Sequence, residues 1–265
     1  MTFDADLALA LRLAETADAL SSARFNAHDL EVHTKADRSF VTDADLEVEN
    51  ALRRLLMSER PDDGILGEEF GTKGQSIRQW IIDPIDGTSN FLRGVPVWGT
   101  LIALAIEGRP VVGVASAPAL GKRWWAAEGS GAWTQNLGSE PRAIHVSSVS
   151  DLAQASLSFQ SIQQWDEAGY LEQLITLTRM VWRDRAYGDL WAYMLLAEGL
   201  IDCVAEFDVK TYDLAALIPI VTEAGGRFTS VTGDTGPHHG SSLASNSVLH
   251  DDLLAVLNTE NTDPQ

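Results

Sequence analysis

Two carboxylates three residues apart, Asp83 and Asp86, follow the apolar run Trp80-Ile81-Ile82 and lie in the segment Asp83-Pro84-Ile85-Asp86-Gly87-Thr88-Ser89. Pro84 presses Asp83 toward an extended backbone and Gly87 permits a sharp turn, so Asp83, Asp86 and Thr88 can converge beyond a strand end. Hard cations such as Mg²⁺ take such oxygens at roughly 2.0–2.1 Å. The competing reading is an ordinary acidic turn, because Asp, Pro and Gly also crowd loops. Other acidic stretches weigh against it. Ile65-Leu66-Gly67-Glu68-Glu69 reads as a short buried strand ending in carboxylates, and Thr42-Asp43-Ala44-Asp45 and Thr211-Tyr212-Asp213-Leu214-Ala215-Ala216 each open a helix.

Each acid also has a structural role to offer. Thr42 to Asp45 has the form of a cap with acids in the first turn, where the helix dipole favours them. Asp213 and Asp189 stand at helix starts, where a lone Asp more often caps than ligates. Glu69 reads as solvated or as backing a ligand. The histidines (His28, His33, His145, His238, His239 and His250) show no ligand spacing and are expected in loops or on the surface. Trp124-Trp125 is expected to pack a sheet, and Cys203 to be a small buried apolar residue. No G-x-S-x-G elbow or G-x-x-x-x-G-K-[ST] loop occurs, which argues against a serine hydrolase or a P-loop enzyme.

Helical spacing of apolar residues predicts helices over 4–24 and 42–60. From Trp80 to Val146, short runs rich in Val, Ile and Trp, broken by Gly-containing turns, predict successive, largely antiparallel strands. The rhythm then alternates: strand 156–160, helix 165–178, strand 181–186, helix 189–198, strand 202–206, helix 212–224, strand 227–231. That pattern predicts an α+β half over residues 1–149 and an α/β half over 150–265, in one unit with a cleft between them.

The chain has 265 residues, 45% of them hydrophobic, enough for a large core. Its 19 basic and 38 acidic side chains give a net charge of −19, which repels nucleic acid and anionic membranes. A phosphate ester would be repelled too, unless bound cations reverse the local field. A single cysteine excludes an intrachain disulfide and suits a reducing compartment. Met1-Thr2-Phe3-Asp4 lacks the form of a secretion signal, and the longest apolar run, Val97 to Ile106, falls short of the roughly 20 residues a span requires. A cytoplasmic protein is expected.

Gly67-Glu68-Glu69, residues 80–91 (W-I-I-D-P-I-D-G-T-x-N-F) and Tyr212-Asp213-Leu214-Ala215-Ala216, in this order, resemble the motifs of the inositol monophosphatase family, metal-dependent and lithium-sensitive phosphomonoesterases. The resemblance covers nearly the whole chain. It is closest to the actinobacterial type of histidinol-phosphate phosphatase, on Lys35-Ala36-Asp37, Arg93 to Trp98, Ser116 to Ala119, Arg123-Trp124-Trp125, Ala155 to Phe159 and Arg185 to Asp189. Tyr212 departs from the usual Trp, and Asp189 from the small residue of inositol phosphatases.

The resemblance implies a layered αβαβα sandwich and two or three Mg²⁺ ions, with Mn²⁺ as a substitute. Glu68, Asp83, the Ile85 carbonyl and Thr88 would surround the first ion; Asp83, Asp86 and Asp213 the second, with Asp83 shared. Glu68 would also help a weaker third ion. Asp45 would orient the Thr88 hydroxyl, which positions the attacking water. Gly87, Thr88 and Ser89 would offer backbone amides to phosphate. Arg185, Asp189, Glu206 and Asp213 would meet the leaving alcohol, Asp189 and Glu206 taking an ammonium group. The implied reaction is hydrolysis of L-histidinol phosphate in histidine biosynthesis, by a homodimer or higher oligomer. Inositol monophosphatase, 3′-phosphoadenosine 5′-phosphate phosphatase and an inactive metal-binding regulator stand as alternatives.

Overall fold

The computed structural model describes residues 2–35 and 40–259; of the resemblance motif Lys35-Ala36-Asp37, Ala36 and Asp37 lie outside them. The first layer is α1 (Asp4–Arg24) and α2 (Asp43–Glu59), the latter preceded by a hairpin of β1 (Val32–Thr34) and β2 (Phe40–Thr42). An eight-stranded sheet follows: β3 (Gly64–Gly67), β4 (Gly71–Lys73), β5 (Arg78–Asp86), then, after the short α3 (Thr88–Arg93), β6 (Gly99–Ile106), β7 (Arg109–Ala117), β8 (Lys122–Ala127), β9 (Ala132–Asn136) and β10 (Arg142–Ile144). Its order is β10-β9-β8-β7-β6-β5-β3-β4, with only β3 and β5 parallel. The β6–β7 turn is Glu107-Gly108, both at positive φ (52° and 78°), as a tight two-residue hairpin requires.

The remaining elements are β11 (Ser156–Ser158), α4 (Ile162–Glu167), α5 (Leu171–Met180), β12 (Arg183–Arg185), α6 (Asp189–Ala197), β13 (Cys203–Phe207), α7 (Thr211–Ala215), α8 (Leu217–Glu223), β14 (Arg227–Thr229), β15 (Ser241–Ser245) and α9 (His250–Leu257). The five strands form a mixed sheet ordered β12-β11-β13-β15-β14.

Side-chain alternation along β5 decides the layering. Trp80 and Ile82 pack with Leu9 and Leu13 of α1 and Val48 and Leu52 of α2. Ile81, between them, points to the other face, where Leu101 and Ala115 meet Tyr193 and Leu196 of α6, Leu217 and Ile220 of α8, and Val204 and Ala244 of the smaller sheet. The outer face of that sheet, through Leu157, Cys203 and Leu243, is covered by Trp165, Leu174, Leu177 and Leu253 of α4, α5 and α9. The layers therefore run α-β-α-β-α. Each fully buried Leu or Ile contributes about 1.5–3 kcal/mol.

Two expected helices are each divided in two. The one expected over 165–178 stops at Ala168: Gly169 takes φ 78°, its N–H bonds Asp166 O at 2.9 Å and that of Tyr170 bonds Trp165 O at 2.8 Å, a Schellman stop. The one expected over 212–224 bends at Ala216, three residues before Pro219, which has no N–H to return to Ala215. At this bend Ala216 O comes so close to β7 that a Cβ on Gly113 would lie 2.1 Å from it. That close approach seats α7, and with it Asp213, against the larger sheet. Trp124 and Trp125 pack within that sheet, and Cys203 is buried. His250 overturns the surface expectation for histidines: it is fully buried, bonded to Thr229 Oγ1 at 2.9 Å and Ser245 Oγ at 2.8 Å.

Candidate active site

In a regular strand, residues three apart face opposite ways. Asp83 and Asp86 nevertheless meet, because the β5–β6 register shifts between them around Pro84, whose carbonyl accepts a 2.8 Å bond from Thr100 Oγ1. Gly87 follows at φ 81°, where an added Cβ would lie 3.0 Å from Val97 O, and turns the chain into α3. Asp213 arrives from α7, its Oδ2 accepting the Lys210 N–H at 2.7 Å. One carboxylate oxygen from each of Asp83, Asp86 and Asp213 then lies within 4.8 Å of the others.

These three line a cavity of about 190 Å³ together with Glu68, Asp189, Glu206 and Asp208, and no Lys, Arg or His lines it among the described residues. Burial, then the charge of Glu68, pushes the Asp83 carboxyl well above its ordinary range; burial, then the charge of Asp189, does the same to Asp86. Asp213 is pushed up to about 7 and Glu206 to about 8, in both cases mainly by burial. Asp83 Oδ1 is buried with no hydrogen-bond partner. Clustered, desolvated carboxylates with a free buried oxygen need positive charge, and an all-oxygen donor set fits a hard divalent cation.

The expected residues are not all brought to this cavity. Ile85, Gly87 and Thr88 line it, whereas Ser89 is exposed and lines an adjoining groove of about 810 Å³ with Asn90, Gln160 and Gln164. The expected Asp45–Thr88 bond is not formed. Thr88 Oγ1 donates to Ile85 O at 3.0 Å, while Asp45 Oδ2 accepts from the N–H and hydroxyl of Thr42 at 2.7 and 2.5 Å, leaving Oδ1 buried and unpartnered. Asp45 thus closes the capping box of α2, and burial pushes its carboxyl up to about 6. Arg185 lies on edge strand β12, exposed, bonded to Asp184 O, and lines neither cavity nor groove. Glu69 is not solvated: its side chain is 4% exposed and accepts from Lys35 Nζ at 2.7 Å, while Lys35 also donates to Glu68 at 2.8 Å.

Asp189 does not cap its own helix. Its Oδ2 accepts from Asn90 Nδ2 at 2.8 Å and its Oδ1 from Gln160 Nε2 at 3.2 Å, and its backbone sits at φ 48°. The cap of α6 comes from Asp86. Asn90, Gln160, Gln164 and Asp208 belong to the site and carried no sequence signal of their own, although Asn90 lies inside the 80–91 motif. Tyr212, beside Asp213, packs against the core between the two sheets and lines a separate shallow pocket with Leu66 and Val209.

The model of the inositol monophosphatase family matches residues 3–262. A histidinol-phosphatase of Mycobacterium tuberculosis is 55% identical over 254 residues, covering 96% of this chain and 98% of its own length. One from Streptomyces coelicolor is 52% identical over 257 residues, covering 96% and 97%. Among solved structures, the extragenic suppressor protein suhB of Bartonella henselae superposes with a TM-score of 0.88 at 28% identity, covering 97% of this chain and 99% of that one. With the carboxylates of three separate motifs converging on one cavity and this match running almost end to end, the chain belongs to the inositol monophosphatase family and is a phosphatase.

Proposed function

We propose that the chain hydrolyses L-histidinol phosphate to L-histidinol and phosphate, with Mg²⁺ as cofactor and Mn²⁺ as a substitute, in histidine biosynthesis. The observation that carries the substrate reading is the charge of the cavity: seven carboxylates and no basic side chain among the described lining residues. Asp83, Asp86 and Asp213 would hold one ion, and Glu68, Asp83, the Ile85 carbonyl and Thr88 another. Bound there, the ions lower the pKa of water and offset the charge of the phosphate and the leaving oxygen. That leaves Asp189 and Glu206 to be met by the substrate, since Asp208 is exposed and paired with Lys210 Nζ. Histidinol brings an ammonium group; inositol brings none, and would leave these buried carboxylates without a counter-charge. The names of the two actinobacterial relatives support the same reading.

Within the site, Thr88 donates its proton to Ile85 O, so its oxygen lone pairs remain to accept from the attacking water. The backbone amides at the Gly87-Thr88-Ser89 turn offer donors to phosphate. Leu190, Leu214 and Leu217 give the cavity an apolar wall. A homodimer or higher oligomer in the cytoplasm is part of the proposal and rests on the family resemblance; light scattering tests the first part. Among the described residues no helix is long and apolar enough to cross a membrane. Phosphate release with Mg²⁺ from histidinol phosphate, inositol 1-phosphate and 3′-phosphoadenosine 5′-phosphate, side by side, tests the substrate: kcat/KM highest for histidinol phosphate supports it, and a preference for either of the others overturns it. No release from any ester would indicate the regulatory alternative.

A further inference from the structure

Glu206 is 3% exposed, and its two oxygens have different surroundings. Oε2 accepts from the Tyr193 hydroxyl at 2.9 Å, whereas Oε1 is buried and has no partner. Tyr193, on α6 and 1% exposed, also stands 2.5 Å from Ser242 Oγ on β15. A phenol has one proton, and here it is directed at Glu206 Oε2. Tyr193 therefore donates to Glu206 and accepts from Ser242. Its ring is stacked on Phe228, with centroids 5.6 Å apart and planes at 15°. Both Tyr193 and Glu206 line the cavity.

We propose that Tyr193 is a positioning residue for substrate selection: by holding Oε2 in a chain from Ser242, it keeps Oε1 of Glu206 available to the ammonium of the leaving alcohol. The inference rests on the reading that this end of the cavity receives a cationic alcohol. Asp189 has both oxygens engaged by Asn90 and Gln160, so Glu206 alone of the two offers an oxygen with no protein partner. Removing the Tyr193 hydroxyl leaves Oε2 buried and unpaired and frees rotation about the terminal torsion. The stacked ring stays, so the packing of α6 on the sheet is kept.

The test is steady-state kinetics of Tyr193→Phe at saturating Mg²⁺ on L-histidinol phosphate and on glycerol 2-phosphate, whose alcohol has no charge. KM for histidinol phosphate should rise about tenfold, the order expected for leaving a charged acceptor unpaired, with kcat within about twofold and glycerol 2-phosphate shifted far less. Ser242→Ala should move the same KM in the same direction by a smaller factor, and carries the test if the Phe variant does not fold. Equal losses on both esters would make Tyr193 a packing residue and overturn the inference. If Glu206→Gln raises KM for histidinol phosphate while Tyr193→Phe and Ser242→Ala do not, the positioning role fails and the cationic-alcohol reading stands. If the wild type shows equal kcat/KM on both esters, that reading fails and takes the positioning role with it.

Discussion

Asp86 Oδ2 accepts the backbone N–H of Leu190 at 2.7 Å across 104 residues of sequence. A carboxylate of the acidic cluster on the larger sheet thereby also caps α6, which is sandwiched between the two sheets, so one side chain serves both the proposed metal site and the registry of the layers. An Asp86→Asn variant retains an acceptor for the Leu190 N–H; Asp86→Ala does not. Both should lose Mg²⁺-dependent turnover, while urea unfolding should find the Ala variant about 1 kcal/mol less stable than the Asn variant, the usual worth of a cap. Equal stabilities would separate the cap from the fold.

Thr88→Ala should lower kcat by about 10²-fold, the order for losing a group that positions a reactant, and change KM little. The structure ties Thr88 to Ile85 O instead of Asp45, so Asp45→Asn should cost less in kcat than Thr88→Ala. A rise in KM alone for Thr88→Ala would assign the hydroxyl to substrate binding.

Asp189→Ser should raise KM for histidinol phosphate and leave glycerol 2-phosphate hydrolysis much less affected, because the side chain sits in the groove with Asn90 and Gln160 and caps nothing. Equal effects on both esters would remove Asp189 from ammonium recognition.

His250 gives a pH prediction independent of the metal site. Burial first, then the Arg227 charge, lowers its pKa from 6.5 to about 4, against a smaller opposing effect of Asp251. The lowered folded value means that the neutral ring belongs to the native state, so its contribution is intact above about 6.5 and is lost as pH falls toward 4. The full shift corresponds to about 3 kcal/mol. The stability difference between wild type and His250→Gln, from urea midpoints, should shrink over that interval; a difference constant with pH would contradict the buried neutral ring.

Asp83 to Thr88 could be read as a site because the ligands, the proline that bends the strand and the glycine that turns it are contiguous, so local chemistry suffices. Asp213 and Glu68 were placed by resemblance, since nothing local says that α7 and β3 end at the same cavity. Asp189 shows the opposite failure. Its position at a helix start suggests a cap, and only the fold reveals that Asp86 caps α6 and that Asn90 and Gln160 engage Asp189. The alternation after residue 150 was legible, but β15 was not: Ser241-Ser242-Leu243-Ala244-Ser245 lacks the β-branched and aromatic residues that mark strands, and is held by pairing with both β13 and β14. His250, one residue after Leu249, carried no mark of its burial.

The most direct test of the metal centre is the turnover of L-histidinol phosphate by Asp83→Asn across a Mg²⁺ titration, with the wild type alongside. Replacing even an outer partner of a metal ligand typically costs 10–100-fold, so loss of the carboxylate shared by both proposed ions should exceed about a hundredfold at every Mg²⁺ concentration. Circular dichroism should show the variant folded, since relieving carboxylate crowding does not strain β5. Near wild-type turnover with an unchanged Mg²⁺ dependence would contradict the account.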